Sequence, residues 1–149
     1  MSFAMTARMR RVFLVIALLA AAGVIDSAVA LRNHYAKSKS SYCEFGESFN
    51  CDTVNRSSYS VLLGIPVALI GVIGYGALLG LSTLYREKAE TPAMLLMAAV
   101  GGLGFAIYLT YIEAYVLAVW CILCLASLGL MVVITGLASL LLVESLHQA

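Results

Sequence analysis

The stretch of sequence that decides the fold is residues 114–143, A-Y-V-L-A-V-W-C-I-L-C-L-A-S-L-G-L-M-V-V-I-T-G-L-A-S-L-L-L-V, which carries no formal charge. A helix of about 20 apolar residues crosses the hydrocarbon core of a bilayer, and this run is longer than that. Backbone N–H and C=O groups must be paired within lipid, so only a helix or a closed barrel could lie there, and the alternating polarity of barrel strands is missing. The stretch therefore predicts a transmembrane helix.

Three more segments have the same character. Residues 57–85 and 91–112 are also free of charge, and residues 12–31 carry only the charge of Asp26. We therefore predict an all-α integral membrane protein, whose single membrane domain is a four-transmembrane-helix bundle with an exported capping loop between helices one and two. The predicted domain spans residues 1–149, with helices near 12–31, 60–84, 92–114 and 119–143 and a redox loop at 32–59.

The overall composition agrees with a membrane protein. Hydrophobic residues make up 62% of the chain and charged residues 11%, and the mean hydropathy is +0.98, whereas soluble domains carry roughly a quarter charged residues. A net charge of +1 offers no electrostatic footprint for a phosphate backbone. The composition therefore argues against a soluble domain, a nucleic-acid-binding protein and a disordered chain.

The first apolar segment has two interpretations. Arg8, Arg10 and Arg11, the apolar residues 12–25 and the small residues Ala28-Val29-Ala30 have the pattern of a secretory signal peptide. The apolar stretch continues through Leu31, however, and so reaches the length of a membrane span. Both a cleaved signal and a retained first helix stay open, and both export the segment that follows.

The chain has four cysteines in two pairs, Cys43 with Cys51 and Cys121 with Cys124. Four spans would place the loop that holds the first pair on the same membrane side as the short connection that precedes the second pair. An odd number of spans between the pairs would separate them by the bilayer. The predicted topology therefore allows the two pairs to exchange electrons.

The C-I-L-C motif at residues 121–124 is the sharper redox signal. Residues i and i+3 of a helix lie on one face, and the unpaired N–H groups of a helix N-terminus stabilise a thiolate. We interpret Cys121 as the more exposed exchange thiol and Cys124, a turn deeper, as facing a membrane-soluble acceptor. The alternative is that both cysteines are small apolar packing residues. We predict no metal site, because the spacing is loose for zinc, and no haem, because Leu125 stands where the haem-attachment motif has histidine.

The loop pair also has two interpretations. Cys43 and Cys51 could form a structural disulfide in an exported loop. They could instead take electrons from outside thiols and pass them, by thiolate attack and a mixed disulfide, to the pair in the membrane. Only the second interpretation explains why another dithiol lies at the head of a helix.

Together these residues resemble the vitamin K epoxide reductases and their bacterial homologues. The resemblance rests on Y-C-E-F-G-E-S-F-N-C-D-T-V at 42–54, Ser57, G-I-P at 64–66 and W-C-I-L-C at 120–124, and it covers the whole chain. It implies a four-helix bundle around a quinone, either ubiquinone or menaquinone (vitamin K), which acts as the electron acceptor. It also implies a separate thioredoxin-like (DsbA-like) dithiol protein as the partner.

The resemblance assigns a role to each cysteine. Cys43 would meet the partner's thiols, Cys51 would form a transient disulfide with Cys121, and Cys124 would reduce the quinone. Ser57 matches a hydroxyl position near the quinone in the family, and its alternative role is ordinary capping of helix two.

Departures from the animal enzymes favour the bacterial branch of the family. Leu128 stands where those enzymes have a tyrosine, and only Ser58 to Ser60 are present where they have an asparagine at the quinone. We therefore expect a plain quinone as the acceptor and a role in disulfide formation, with the cysteines on the periplasmic side of a bacterial inner membrane. The alternatives are true vitamin K epoxide reduction and a non-catalytic four-span protein with a structural loop disulfide.

Two carboxyl groups, Asp26 and Glu113, lie at membrane depth, where ionisable residues are functional candidates. Either could relay protons to a quinone, or each could reach the interface and simply be hydrated. Four aromatic residues are interpreted as an interfacial belt and not as a clamp on the quinone, namely Tyr108, Tyr111, Tyr115 and Trp120.

Overall fold

A computed structural model describes residues 5–35, 61–118 and 120–148. It contains four helices and a short hairpin in the order α1, β1, β2, α2, α3, α4. The bounds are α1 Ala7–Tyr35, β1 Val61–Leu62, β2 Ile65–Pro66, α2 Val67–Thr83, α3 Thr91–Tyr111 and α4 Ile122–Gln148, and α3 continues as a wider π-helical turn over Ile112–Leu117.

The described part of the chain is thus largely helical, in agreement with the predicted all-α class. Three segments are long and apolar enough to cross a membrane: Ala7–Arg32, Thr91–Leu117 and Ile122–Gln148. The remaining helix, α2, is apolar but has only 17 residues, which is at the lower limit of spanning length. That α2 also crosses the membrane, and that a loop between α1 and α2 is exported, both stay predictions.

The second helix begins later than residue 60 because a tight hairpin precedes it. Val61 pairs with Pro66 and Leu62 with Ile65, and the two residues of the turn, Leu63 and Gly64, have φ values of 53° and 83°. Two consecutive positive φ values are typical of the two-residue turn that joins antiparallel strands. Pro66 then caps α2, where its missing N–H leaves no hydrogen bond unmade.

The helices form one bundle, in which α1 contacts α2 and α4, and α3 contacts α4 and α2. An ion pair of 3.1 Å between Arg8 Nε and Glu144 Oε1 joins the start of α1 to the end of α4. The end of α1, the hairpin and Cys121 therefore lie at the other end of the bundle, which we call the cysteine end. The connection between α2 and α3 lies at the end opposite to it.

The core between the helices consists mainly of aliphatic and aromatic side chains. It includes Phe13 and Ile16 of α1, Leu78 of α2, Leu95 of α3 and Ile134 of α4. Lipid is as apolar as these side chains, so close packing and interhelical hydrogen bonds hold such a bundle together. Small residues matter where they allow helices to approach.

The glycines that allow close approach differ from Gly76 and Gly80, whose G-x-x-x-G spacing is common where membrane helices pack. A methyl group at Gly23 would overlap the ring of Tyr75, and one at Gly102 would lie 2.6 Å from Met131 Cε. At Gly76 and Gly80, by contrast, an added methyl group meets no atom within 4 Å in the described structure. Gly76 and Gly80 therefore form no packing surface within the described bundle, because α2 turns a different face, with Tyr75 and Leu78, toward the core.

Replacing Gly23 by alanine is expected to destabilise the bundle. The new methyl group would displace the fully buried Tyr75 ring, and overpacking of this kind costs about 1–3 kcal/mol. The matched control is Gly104→Ala, since Gly104 lies within α3 with open space around it. That variant should gain up to about 1 kcal/mol from helix propensity. Thermal unfolding in detergent measures both effects, and a Gly23→Ala variant as stable as Gly104→Ala would contradict the packing of Tyr75 on Gly23.

Candidate active site

A cavity of about 350 Å³ lies in the half of the bundle toward the cysteine end, and all four helices line it. Its walls are mostly small and apolar side chains, with glycines and alanines from α2 and α3. A few polar side chains face it, namely Asp26, Ser27, Tyr75, Glu113, Cys124 and Ser127. An apolar cavity with few, convergent polar groups is the usual form of a small-molecule site.

The Cys121–Cys124 pair lies at the edge of this cavity. Cys121 directly precedes α4, and the backbone N–H of Leu125 donates to the Cys121 carbonyl at 3.0 Å. Cys124 follows in the first turn of α4 and lines the cavity. Both thiols are free of disulfide bonds in the described structure. The helix therefore places the pair on one face, as its spacing predicts.

The relative exposure of the two thiols differs from the prediction. Cys121 is 0% exposed and packs against Leu123 and Cys124, whereas Cys124 is partly accessible. The interpretation of Cys121 as the more exposed thiol is therefore wrong. The physical reason is that Leu123 and Cys124, in the first turn of α4, pack against the Cys121 side chain, whereas Cys124 itself lines the cavity.

Cys121 nevertheless has the character of a nucleophile. It lies in the link between the two apolar spans, and a hydrogen bond from the Cys124 thiol lowers the pKa of the Cys121 thiol more than burial raises it. The thiolate is the form that takes part in disulfide exchange.

Glu113 connects the end of α3 to the head of α4. The π-helical turn Ile112–Leu117 and the left-handed residue Ala118, at φ 53°, reverse the chain after it. Glu113 Oε2 accepts a hydrogen bond of 3.0 Å from the Cys121 backbone N–H, and the residue is only 1% exposed. The alternative of a hydrated interfacial carboxylate is therefore wrong for Glu113. Its packing against the head of α4 removes it from water.

A second polar pair was not identified from the sequence. The Tyr75 hydroxyl donates to the Ser127 carbonyl at 3.0 Å and lies 2.7 Å from the Ser127 hydroxyl. Both residues line the cavity, so the pair offers a hydroxyl hydrogen bond to a ligand. The sequence feature that could have indicated this pair is Tyr75 itself, a single tyrosine within the apolar, glycine-rich run of helix two.

The tyrosines of the predicted belt point away from the cavity. Tyr108 and Tyr111 are exposed, and Tyr115 is 78% exposed. The rings of Tyr111 and Tyr115 contact each other, with centroids 5.1 Å apart. None of these three rings lines the cavity, so they form no clamp on a ligand there, and the interfacial belt stays a prediction.

Three predicted site residues, Cys43, Cys51 and Ser57, lie outside the described residues, as does most of the predicted redox loop. The structure brings together Cys121 and Cys124, and it adds Glu113 beside them. Asp26 lines the same cavity from α1.

A comparison with protein families shows where this combination of fold and dithiol occurs. The sequence profile described as the Vitamin K epoxide reductase family matches residues 14–139, which is most of the chain. The chain belongs to the vitamin K epoxide reductase family. A search of curated proteins found no match. Membership of the vitamin K epoxide reductase family, together with the apolar helices, supports a membrane protein with a quinone-linked oxidoreductase role at the level of the family.

Proposed function

We propose that this chain is a membrane thiol:quinone oxidoreductase. Electrons pass from a separate thioredoxin-like dithiol protein to Cys43 and Cys51, from there to Cys121 and Cys124, and finally to ubiquinone or menaquinone. The oxidised partner then supports disulfide bond formation in other proteins. The protein would lie in the cytoplasmic (inner) membrane of a bacterium with its cysteines on the periplasmic side.

The observation that carries this proposal is the pair Cys121 and Cys124 at the edge of an apolar cavity within the bundle. Ligand cavities measure roughly 300–1,000 Å³, and the cavity beside Cys124 measures about 350 Å³. A quinone head group is flat and apolar apart from its carbonyl oxygens. The Tyr75–Ser127 pair supplies hydroxyl groups for such oxygens, and the alanine and glycine walls supply room for the ring. The residues present therefore fit a quinone.

The position of the first cysteine pair in the chain supports a relay between the pairs. Cys43 and Cys51 belong to residues 36–60, and both neighbours of that segment, Tyr35 at the end of α1 and Val61 in the hairpin, lie at the cysteine end. A loop closed at both ends keeps a high local concentration of its residues near its anchors. The proposed Cys51–Cys121 mixed disulfide would form there.

The chemistry of the protein's own residues is thiol–disulfide exchange. A Cys51 thiolate attacks Cys121 in the oxidised Cys121–Cys124 pair, and Cys124 leaves as the free sulfur on the cavity side. Cys43 then attacks Cys51, which forms the Cys43–Cys51 disulfide and releases the Cys121 thiol. A quinone bound there supplies the two-electron acceptor. Net flow toward it requires that each acceptor couple has the higher reduction potential, and about 30 mV corresponds to a tenfold bias for a two-electron couple.

The test is turnover by the purified protein. With a reduced thioredoxin-like dithiol as donor and ubiquinone or menaquinone as acceptor, the wild-type protein is expected to reduce the quinone, and acid trapping during turnover should yield a Cys51–Cys121 disulfide. Parallel reactions contain vitamin K epoxide as acceptor. No turnover with any acceptor would support the non-catalytic alternative. Turnover with the epoxide alone would replace the proposed acceptor.

A further inference from the structure

Glu113 is a buried carboxyl group that the thiol relay does not use. One of its oxygens accepts the Cys121 N–H, and the other, Oε1, has no hydrogen-bond partner within the described structure. Glu144 also has one unpartnered buried oxygen, but its other oxygen forms an ion pair with Arg8 at the opposite end. Glu113 has no such ion pair in the described part of the chain, and it lines the cavity beside Cys124.

An unpaired buried carboxylate is costly, so its location requires an explanation. The N-terminus of α4, whose first N–H groups lack helical partners, stabilises the negative form through the Cys121 N–H. The apolar cavity stabilises the neutral form at the same position. The surroundings of Glu113 therefore stabilise both its charged and its neutral form beside the Cys121–Cys124 segment. A proton carrier needs both forms to be accessible.

We propose that Glu113 is the proton carrier of the Cys121–Cys124 pair: Oε2 holds the head of α4, while Oε1 takes the proton of the Cys124 thiol and delivers it to the bound quinone. This inference rests on the proposed function and assigns its proton path. Asp26 lines the same cavity from α1, but only Glu113 is hydrogen-bonded to the dithiol segment.

The proton and electron counts balance. When the Cys121–Cys124 disulfide forms, two S–H bonds break, and the pair loses two electrons and two protons. The hydroquinone product contains the two electrons and two new O–H bonds. Glu113 carries one proton, from Cys124, and returns to the carboxylate. The proton of Cys121 is released to water at the cysteine end, and water supplies the second proton of the product.

The test compares Glu113→Gln with Glu113→Ala and uses Glu144→Gln as the matched control. The glutamine retains an oxygen that accepts the Cys121 N–H but does not take up a proton, whereas alanine loses both functions. Single-turnover quinone reduction by the pre-reduced protein should fall about 10²-fold in Glu113→Gln, the lower limit for loss of a general base. It should stay unchanged in Glu144→Gln. The melting temperature should fall in Glu113→Ala and not in Glu113→Gln.

A second readout needs neither quinone nor partner. N-ethylmaleimide modification of Cys124 in the reduced protein, followed by peptide mass spectrometry at neutral pH, should slow by about tenfold in Glu113→Gln if the carboxylate accepts the thiol proton. If Glu113 were only a neighbouring negative charge, its removal would favour the thiolate and accelerate modification.

The two readouts separate the two proposals. Two results would overturn the carrier role even if the protein is a quinone reductase. One is faster maleimide modification of Cys124 in Glu113→Gln, and the other is quinone reduction by that variant at the wild-type rate. A wild-type protein that reduces no acceptor would overturn the proposed function, and with it the quinone as the destination of the proton.

Discussion

Replacing Cys124 by serine is expected to abolish quinone reduction, with a loss of at least about 10³-fold, as for removal of a reacting group in other enzymes. Cys124 is the sulfur of the pair that lines the cavity, so its loss removes the donor of electrons to any molecule bound there. Serine has nearly the same size and preserves the head of α4. Quinone absorbance in detergent, with the reduced dithiol partner present, measures the loss.

The same variant should trap the step that precedes quinone reduction. Without Cys124, the Cys121 thiolate can attack Cys51 of an oxidised Cys43–Cys51 pair, which releases the Cys43 thiol. Only Cys43 can then reopen the Cys51–Cys121 disulfide, so alkylation of free thiols should trap it for non-reducing mass spectrometry. Cys121→Ser is the control, because it should lose quinone reduction equally and form no such link. Retained turnover in both variants would show that the electrons take a path that avoids this pair.

Replacing Gly74 by leucine is expected to block the cavity without touching the cysteines. Gly74 lines the cavity, and an added side chain there begins in open space, with no atom within 4 Å of its Cβ. The leucine would occupy room that a quinone ring needs. If the overlap costs about 1–3 kcal/mol, and each 1.4 kcal/mol is tenfold, kcat/KM for the quinone should fall by roughly 5- to 140-fold. Most of this change should be in KM.

Gly76→Leu is the matched control for that experiment. Gly76 lies in the same helix, also has open space around it, and does not line the cavity. The two variants therefore share the change in helix propensity and differ in where the side chain points. Equal kinetics in Gly74→Leu and Gly76→Leu would show that the quinone binds elsewhere, whereas acid-trapped disulfides should be the same in both.

Much of the fold can be predicted from the sequence because it depends on the length and the lack of charge of continuous segments. Residues 91–112 and 114–143 lack charge over lengths that match a bilayer, and water-free surroundings leave such segments little choice but a helix. The three long apolar helices and the family resemblance, which the profile match to residues 14–139 confirms, both follow from this pattern and the motifs. Hairpin residues 61–66 were missed because an apolar run does not distinguish a strand from the first turn of a helix.

The sequence by itself determined that this protein has apolar helices of spanning length and a C-x-x-C pair at the head of the last one. Only the tertiary structure decided that Glu113 meets the Cys121 N–H, that Tyr75 meets Ser127 across 52 residues, and that Cys121 is the more buried thiol. The physical reason is that helices apolar on every face contain no periodic signal for the face that packs, since lipid and protein core are equally apolar. Register and close approach between helices then decide which polar groups meet, and both are properties of the folded bundle.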